Sequence, residues 1–153
     1  MLRRMLLPHP DMEIAIETHF LPALHDEFGD REVTFDEYVS VVDEHYDSSG
    51  RKWIDTLLEQ NGKRYETFPA SFRQQCGLET GTVPAFTDEL YRFLFGRVPT
   101  CIGDKTPHYG TTMDVVTDFW PDAKFVHIVR DGVYAADSMT RHAGFQKQIG
   151  AGT

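Results

Sequence analysis

Four side chains of this sequence have types and positions suited to handling an anionic group: Glu17, Lys105, Arg130 and Ser138. Arg130 follows the apolar run Phe125 to Val129 directly, and Ser138 stands eight residues further on in a helix-like segment. A planar guanidinium can grip a phosphate with two parallel hydrogen bonds, and a serine two helical turns along can add a hydroxyl to the same group. Lys105 lies in Gly103-Asp104-Lys105-Thr106-Pro107, and Glu17 closes the alternating run Glu13-Ile14-Ala15-Ile16-Glu17. Each of the three charged residues follows a strand-like stretch. In doubly wound sheets ligands lie outside the carboxyl ends of the strands, so a carboxylate and two cations in such places suit an anionic substrate.

Each residue also has a purely structural reading. Arg130 could pair locally with Asp131 or Asp137. Lys105 could be a solvated loop charge, with Thr106 or Asp104 capping the next helix and Pro107 as its first residue. Glu17 could be an exposed acid near a helix start, and as a base it would need a group whose proton it removes. His19 competes with it for that role, since residues two apart share a strand face.

The elements that must position these residues follow from periodicity. Met1 to Leu7 reads as a helical fragment ending at Pro8, with no capping residue ahead of it. The alternation over residues 13–17 predicts a short strand with Glu13 and Glu17 opposite Ile14 and Ile16. From Leu21 to about Phe95 the pattern is helical. Phe35, Tyr38, Val39, Val42 and Tyr46 recur at spacings of three and four, as do Trp53, Ile54, Leu57 and Leu58, and then Phe86, Leu90, Phe93 and Leu94 before Gly96. Asp47-Ser48-Ser49-Gly50 and Asn61-Gly62 read as turns between them. Thr100 to Gly103 is a strand candidate, Tyr109 to Trp120 a helix, Lys124 to Val129 a second strand, and a last helix starts near Val133. Strand, helix, strand, helix with continuous apolar strands predicts an α/β fold with a parallel sheet.

Composition narrows the function. The chain has 153 residues, 41% hydrophobic and 25% charged, which fits one ordinary globular domain. No apolar run is long enough to cross a bilayer, and Pro8-His9-Pro10 interrupts any signal-like core, so a cytoplasmic protein without a membrane partner is expected. A formal charge of −9 repels polyanions on average, which argues against nucleic acid as a partner. Fifteen acids against five basic residues between Asp11 and Glu66 leave the rest of the chain near neutral, so an anionic ligand should sit away from that acidic middle. Cys76 and Cys101 form no CxxC pair, and the seven histidines show no HxH or HExxH arrangement, so no metal site is expected; two unpaired thiols are the simpler reading of the cysteines, with a disulfide as the alternative.

Taken together, "LRRMLLPHPDMEIAIETHFLP", "GDKTPHYG" and "FWPDAKFVHIVRDGVYAADSM" resemble the sulfotransferase family. The resemblance is strongest to the branch that includes protein-tyrosine sulfotransferases and bacterial sulfotransferase-like proteins. It covers residues 1–25 and 100–142 in matching order, including the 25 residues from Lys105 to Arg130. It implies a P-loop-type three-layer α/β sandwich, and a sulfuryl group passed from 3′-phosphoadenosine 5′-phosphosulfate (PAPS) to a hydroxyl or amine acceptor without a metal. In its terms Arg130 and Ser138 bind the 3′-phosphate, Glu17 is the base and Lys105 assists at the sulfuryl group. Other branches use a histidine as base, which keeps His19 and His108 in view.

The family's phosphosulfate loop and first strand should precede "LRRML", and further helices should follow residue 153. On that comparison the chain is a partial domain: residues 1–20 are a post-loop helix and strand, 21–99 a helical insertion, and 100–153 the strand-helix-strand-helix that ends in the 3′-phosphate segment. The isolated chain is then expected to be inactive, and the alternative is a noncatalytic relative acting as a binding module. The run His127-Ile128-Val129-Arg130-Asp131 is loosely similar to a kinase catalytic loop, but the downstream Asn, a glycine-rich loop and a DFG are all missing.

Overall fold

The computed structural model describes residues 2–46, 50–129 and 131–141. The chain divides into two compact units, residues 1–123 and 124–153.

In the first unit, helix α1 (Leu2–Leu6) leads to strand β1 (Met12–Ile16). The chain returns to the same sheet only at β4 (Cys101–Lys105), which pairs with β1 in parallel, Met12 opposite Cys101 and Ile16 opposite Lys105. Parallel neighbours need a long crossover. Here it consists of helices α2 (Leu21–Phe28), α3 (Phe35–Asp43), α4 (Trp53–Gln60), α5 (Phe68–Cys76) and α6 (Val83–Phe95). The predicted helical stretch is thus the connection that brings Lys105 back to Glu17. Where the two strands face each other, Gly103 stands opposite Ile14, and a Cβ on it would lie 3.3 Å from Ile14 Cγ1. A side chain there would have to push that isoleucine aside.

The start of β1 is held from outside the ladder. Arg97 donates from Nε to Glu13 Oε1 at 2.7 Å and from a terminal nitrogen to the Met12 carbonyl at 2.9 Å. Arg3 Nε reaches the Ile14 carbonyl at 2.8 Å, which ties α1 to the strand.

Within the helical crossover the structure adds an antiparallel pair that periodicity does not predict, β2 (Glu32–Thr34) and β3 (Thr80–Thr82). Its local cause is capping. Thr34 and Thr82 hold extended backbone, with φ/ψ of −82°/161° and −77°/157°, and each is the N-cap of the helix that follows. A threonine at an N-cap already has strand-like dihedrals, so the two cap segments lie side by side as a short ladder. Thr34 completes a capping box with Glu37, whose carboxylate accepts from the Thr34 N–H at 2.7 Å. At the other end of α6, Gly96 takes the left-handed conformation, φ +67°, that a helix C-terminus favours.

The core lies among α2–α6 and is rich in aromatic rings. Phe35, Phe68, Phe72, Phe86 and Tyr38 are all but fully buried. Ring centroids are 5.2 Å apart for Phe35 and Phe72, 5.3 Å for Tyr38 and Phe86, and 5.5 Å for Phe72 and Phe93. Separations of this size add roughly 0.5–1.5 kcal/mol per pair beyond area burial. The Tyr38 hydroxyl, carried into this core, meets Thr87 Oγ1 at 3.0 Å and so is not left unpaired there. Cys76 and Cys101 are both free thiols.

After β4 a 3₁₀ turn (Pro107–Thr111) precedes α7 (Met113–Phe119), where the sequence reading has one helix from Tyr109 to Trp120. Pro107 is its first residue, as expected. Thr106 holds the N-cap position but makes no side-chain cap bond. Its hydroxyl has a different partner, described below.

The second unit corrects one expectation. Lys124–Val129 forms no strand, and Phe125, Val126, Ile128 and Val129 are exposed. Apolar content alone does not make a strand: the extended backbone needs ladder bonds from a neighbour, and the described residues supply none to this run. Helix α8 (Gly132–Arg141) does form, close to its predicted start. Asp131 Oδ1 accepts from the Val133 and Tyr134 N–H groups at 2.9 and 3.3 Å, which caps it. The turn expected over Asp47-Ser48-Ser49-Gly50 lies mostly outside the described residues.

Candidate active site

The parallel register decides which side chains meet. Glu17 leaves β1 just as Lys105 ends β4, and the Glu17 N–H extends the ladder by donating to the Lys105 carbonyl at 3.1 Å. On the same edge Lys105 Nζ donates to Glu17 Oε1 at 2.7 Å. The two side chains are 42% and 44% exposed, so the pair is open to solvent and to a ligand.

Beneath the pair is a chain of buried hydroxyls converging on Asp104. Thr18, wholly buried, donates from Oγ1 to Asp104 Oδ2 at 2.6 Å and from its backbone N–H to Thr106 Oγ1 at 3.0 Å. Thr106 in turn donates to Asp104 Oδ1 at 2.6 Å, and Tyr91, from α6, donates its hydroxyl to Oδ2 at 2.6 Å. Thr18 gives its hydroxyl proton to the carboxylate, so Tyr109, 2.7 Å away, is the donor to Thr18 Oγ1 and accepts from the Leu21 N–H at 3.3 Å. Burial pushes the Asp104 carboxyl up from the ordinary carboxylate value, and the three hydroxyls from Thr106, Thr18 and Tyr91 oppose that. Burial raises the Tyr91 and Tyr109 phenols as well, which keeps both as donors.

The backbone at this corner is unusual. Glu17 and His19 both have positive φ, +53° and +59°. Phe20 N–H donates to the Thr18 carbonyl at 2.8 Å, closing a γ-turn around His19. A left-handed non-glycine residue costs of the order of 1–3 kcal/mol and persists where its surroundings over-determine it. The buried Thr18 anchors supply that constraint between the two strained residues.

Next to the pair stands a row of rings. His19 stacks on Trp53, the first residue of α4, with centroids 4.1 Å apart and planes at 20°, and His108 follows at 6.3 Å from His19. The Trp53 N–H donates to the His45 carbonyl at 3.0 Å, so the end of the α3–α4 connection reaches this edge. Burial holds the His19 imidazole below its usual value against the raising effect of Glu17, and His45 is lowered by burial and by His19.

The structure therefore brings Glu17 and Lys105 together, with His19 and His108 beside them. Ser138 lies exposed on α8 in the second unit. Arg130 lies outside the described residues. Among the described residues Asp131 caps α8 and Asp137 pairs with Arg141 at 2.7 Å. Sequence reasoning misses Thr18, Tyr91, Tyr109, Trp53 and His45, and offers Thr106 or Asp104 only as a possible helix cap. The available signal was that Thr18 follows Glu17 while Asp104 and Thr106 flank Lys105. Adjacent residues of an extended chain point to opposite faces, so polar neighbours of an outward charge must be satisfied inside.

The parallel β1–β4 edge, with a carboxylate and a lysine at its strand ends, belongs to an α/β protein, and in such sheets ligands lie outside the strand ends. The sulfotransferase family model matches residues 1–151, and the chain belongs to that family. No curated protein and no solved structure matches it. Among the described residues no group of histidine, cysteine and acidic side chains is placed to hold a metal ion, and no helix is long and apolar enough to cross a membrane.

Proposed function

We propose that this protein moves a sulfuryl group from PAPS to a hydroxyl or amine acceptor, with Glu17 as base and Lys105 as the cation at the transferring group. The observation that carries the reading is the 2.7 Å Glu17–Lys105 pair at one sheet edge of a sulfotransferase-family chain. PAPS, when bound, supplies the sulfuryl group and a phosphate leaving group.

The chain's own residues fit such a donor. Lys105 has three N–H donors and gives one to Glu17, so its ammonium can also face an anionic oxygen and offset charge that grows there. Glu17 Oε1 accepts that bond, and its carboxylate stands at the exposed edge, in reach of a proton on an acceptor seated there. Arg130 and Ser138 are assigned to the donor's 3′-phosphate by resemblance, with Arg130 supplying paired N–H groups and Ser138 a hydroxyl. The assignment of the base to Glu17 before His19 or His108 is supported by the resemblance of the Glu17-Thr18 segment to the protein-tyrosine sulfotransferase branch.

Calorimetry with adenosine 3′,5′-bisphosphate tests the donor side. Binding that disappears in Arg130→Ala is expected; absence of binding by the unaltered chain overturns the donor assignment. Transfer of labelled sulfate from PAPS, lost in Glu17→Gln, tests the base.

A further inference from the structure

We infer that Thr18 is the positioning residue of the site: through its hydrogen bond to Asp104 it fixes Glu17 against Lys105. This rests on the reading of Glu17 and Lys105 as the working pair, but the geometry that carries it is separate from any chemistry at that pair. Three neighbours of the pair belong to one buried cluster. Thr18 follows Glu17, and Asp104 and Thr106 flank Lys105; all three are joined by bonds of 2.6–3.0 Å. The exposed charges are thus the outward-facing members of two segments whose inward-facing members are tied together.

Thr18 is the only member of the cluster that lies on the Glu17 side of it among these three, and it uses both backbone N–H and hydroxyl to make the tie. It sits between two residues of positive φ. Relaxation of Glu17 or His19 toward an ordinary φ would redirect the Glu17 side chain, and the anchored residue between them prevents it. An exposed ion pair has little energy of its own to resist such a change, about 0.2–1 kcal/mol. The buried cluster, with charge-assisted bonds to Asp104, has more. The separation of Glu17 and Lys105 is therefore set from below.

Competitive acetylation reads this out without needing activity. The rate at which acetic anhydride modifies Lys105, measured by mass spectrometry against Lys124 in the same chain, reports how firmly Glu17 holds its ammonium. Thr18→Val is expected to raise the Lys105 rate by up to about fivefold, the upper end of the range an exposed pair allows. Glu17→Gln should raise it equally, the double variant no further, and Thr18→Ser should restore the unaltered rate. Tyr91→Phe, which removes a different donor to Asp104, should lower the melting temperature and leave the rate unchanged. If Thr18→Val does not fold, Asp104→Asn carries the same expectation. A Lys105 rate unchanged by loss of the tie, or increments from Thr18→Val and Glu17→Gln that add, overturns the inference. A failure of the donor-binding experiment would leave these rates untouched, so the two readings fail separately.

Discussion

Lys105 Nζ and Glu17 Oε1 are 2.7 Å apart although 88 residues separate them in the chain. The contact depends on a helical crossover that returns β4 beside β1 in one particular register. Ile16 opposite Lys105 puts Glu17 one residue beyond the ladder, free to turn its carboxylate toward the ammonium. A register slip of one residue would send the charged side chain to the opposite face.

Replacement of Glu17 by Gln keeps the shape of the side chain and removes its basicity. In a form of the protein that transfers labelled sulfate from PAPS, the rate is expected to fall by roughly 10²–10⁴, the usual contribution of a positioned base. Retained transfer in Glu17→Gln together with its loss in His19→Gln or His108→Gln would move the base to a histidine.

Stability should fall as the solution is acidified below neutrality. Burial lowers the folded-state values of His19 and His45, so below the ordinary histidine value of about 6.5 the unfolded chain binds protons that the folded chain refuses. Their contribution is present in full above that value and is lost as the pH drops through the lowered ones. Asp104 and Asp88, both raised by burial, act in the opposite sense at lower pH, since their protonated forms are favoured in the folded state. Melting temperatures between pH 7 and pH 5 should show a decline that is shallower in the His19→Gln, His45→Gln double variant.

The aromatic core sets the global stability. Phe72 is fully buried and stacks or tilts against Phe35, Phe68 and Phe93. Phe72→Ala should cost about 3–5 kcal/mol in urea unfolding, and Phe72→Leu a smaller part of that. A loss below 1 kcal/mol would show that the cluster is not part of the cooperative core.

At the start of α3, Thr34→Ala removes the cap to the Glu37 N–H and the reciprocal hydroxyl contact to Glu37. About 1 kcal/mol of stability is the expected loss. Thr34→Ser should recover most of it, since serine presents the same hydroxyl. The Thr34 N–H bond to Glu37, 2.7 Å long, is made by backbone and survives both changes.

Much of this architecture was legible in residue order. The spacing of Phe35, Tyr38, Val39 and Val42 marked α3, and Phe86, Leu90, Phe93 and Leu94 marked α6, because an amphipathic helix writes its period into the sequence. The run Glu13 to Glu17 marked β1 for the same reason at period two. The parallel β1–β4 pair agrees with the α/β class that this order predicts. Lys124–Val129 has the composition of a strand and is not one, since a strand is a property of two segments.

Residue types and order alone thus determined which groups could do chemistry here: a carboxylate in Glu17, ammonium and guanidinium groups in Lys105 and Arg130, and a hydroxyl in Ser138. Only tertiary structure decided that Glu17 and Lys105 touch, that Thr18, Asp104 and Thr106 turn inward beneath them, and that His19 lies flat on Trp53. Local propensity acts over a few residues and is carried by their identities. Contacts across 88 positions are set by strand register, by left-handed backbone at Glu17 and His19, and by the hydrogen bonds that Thr18 and Thr106 make to Asp104, and those conditions exist only once the chain has closed on itself.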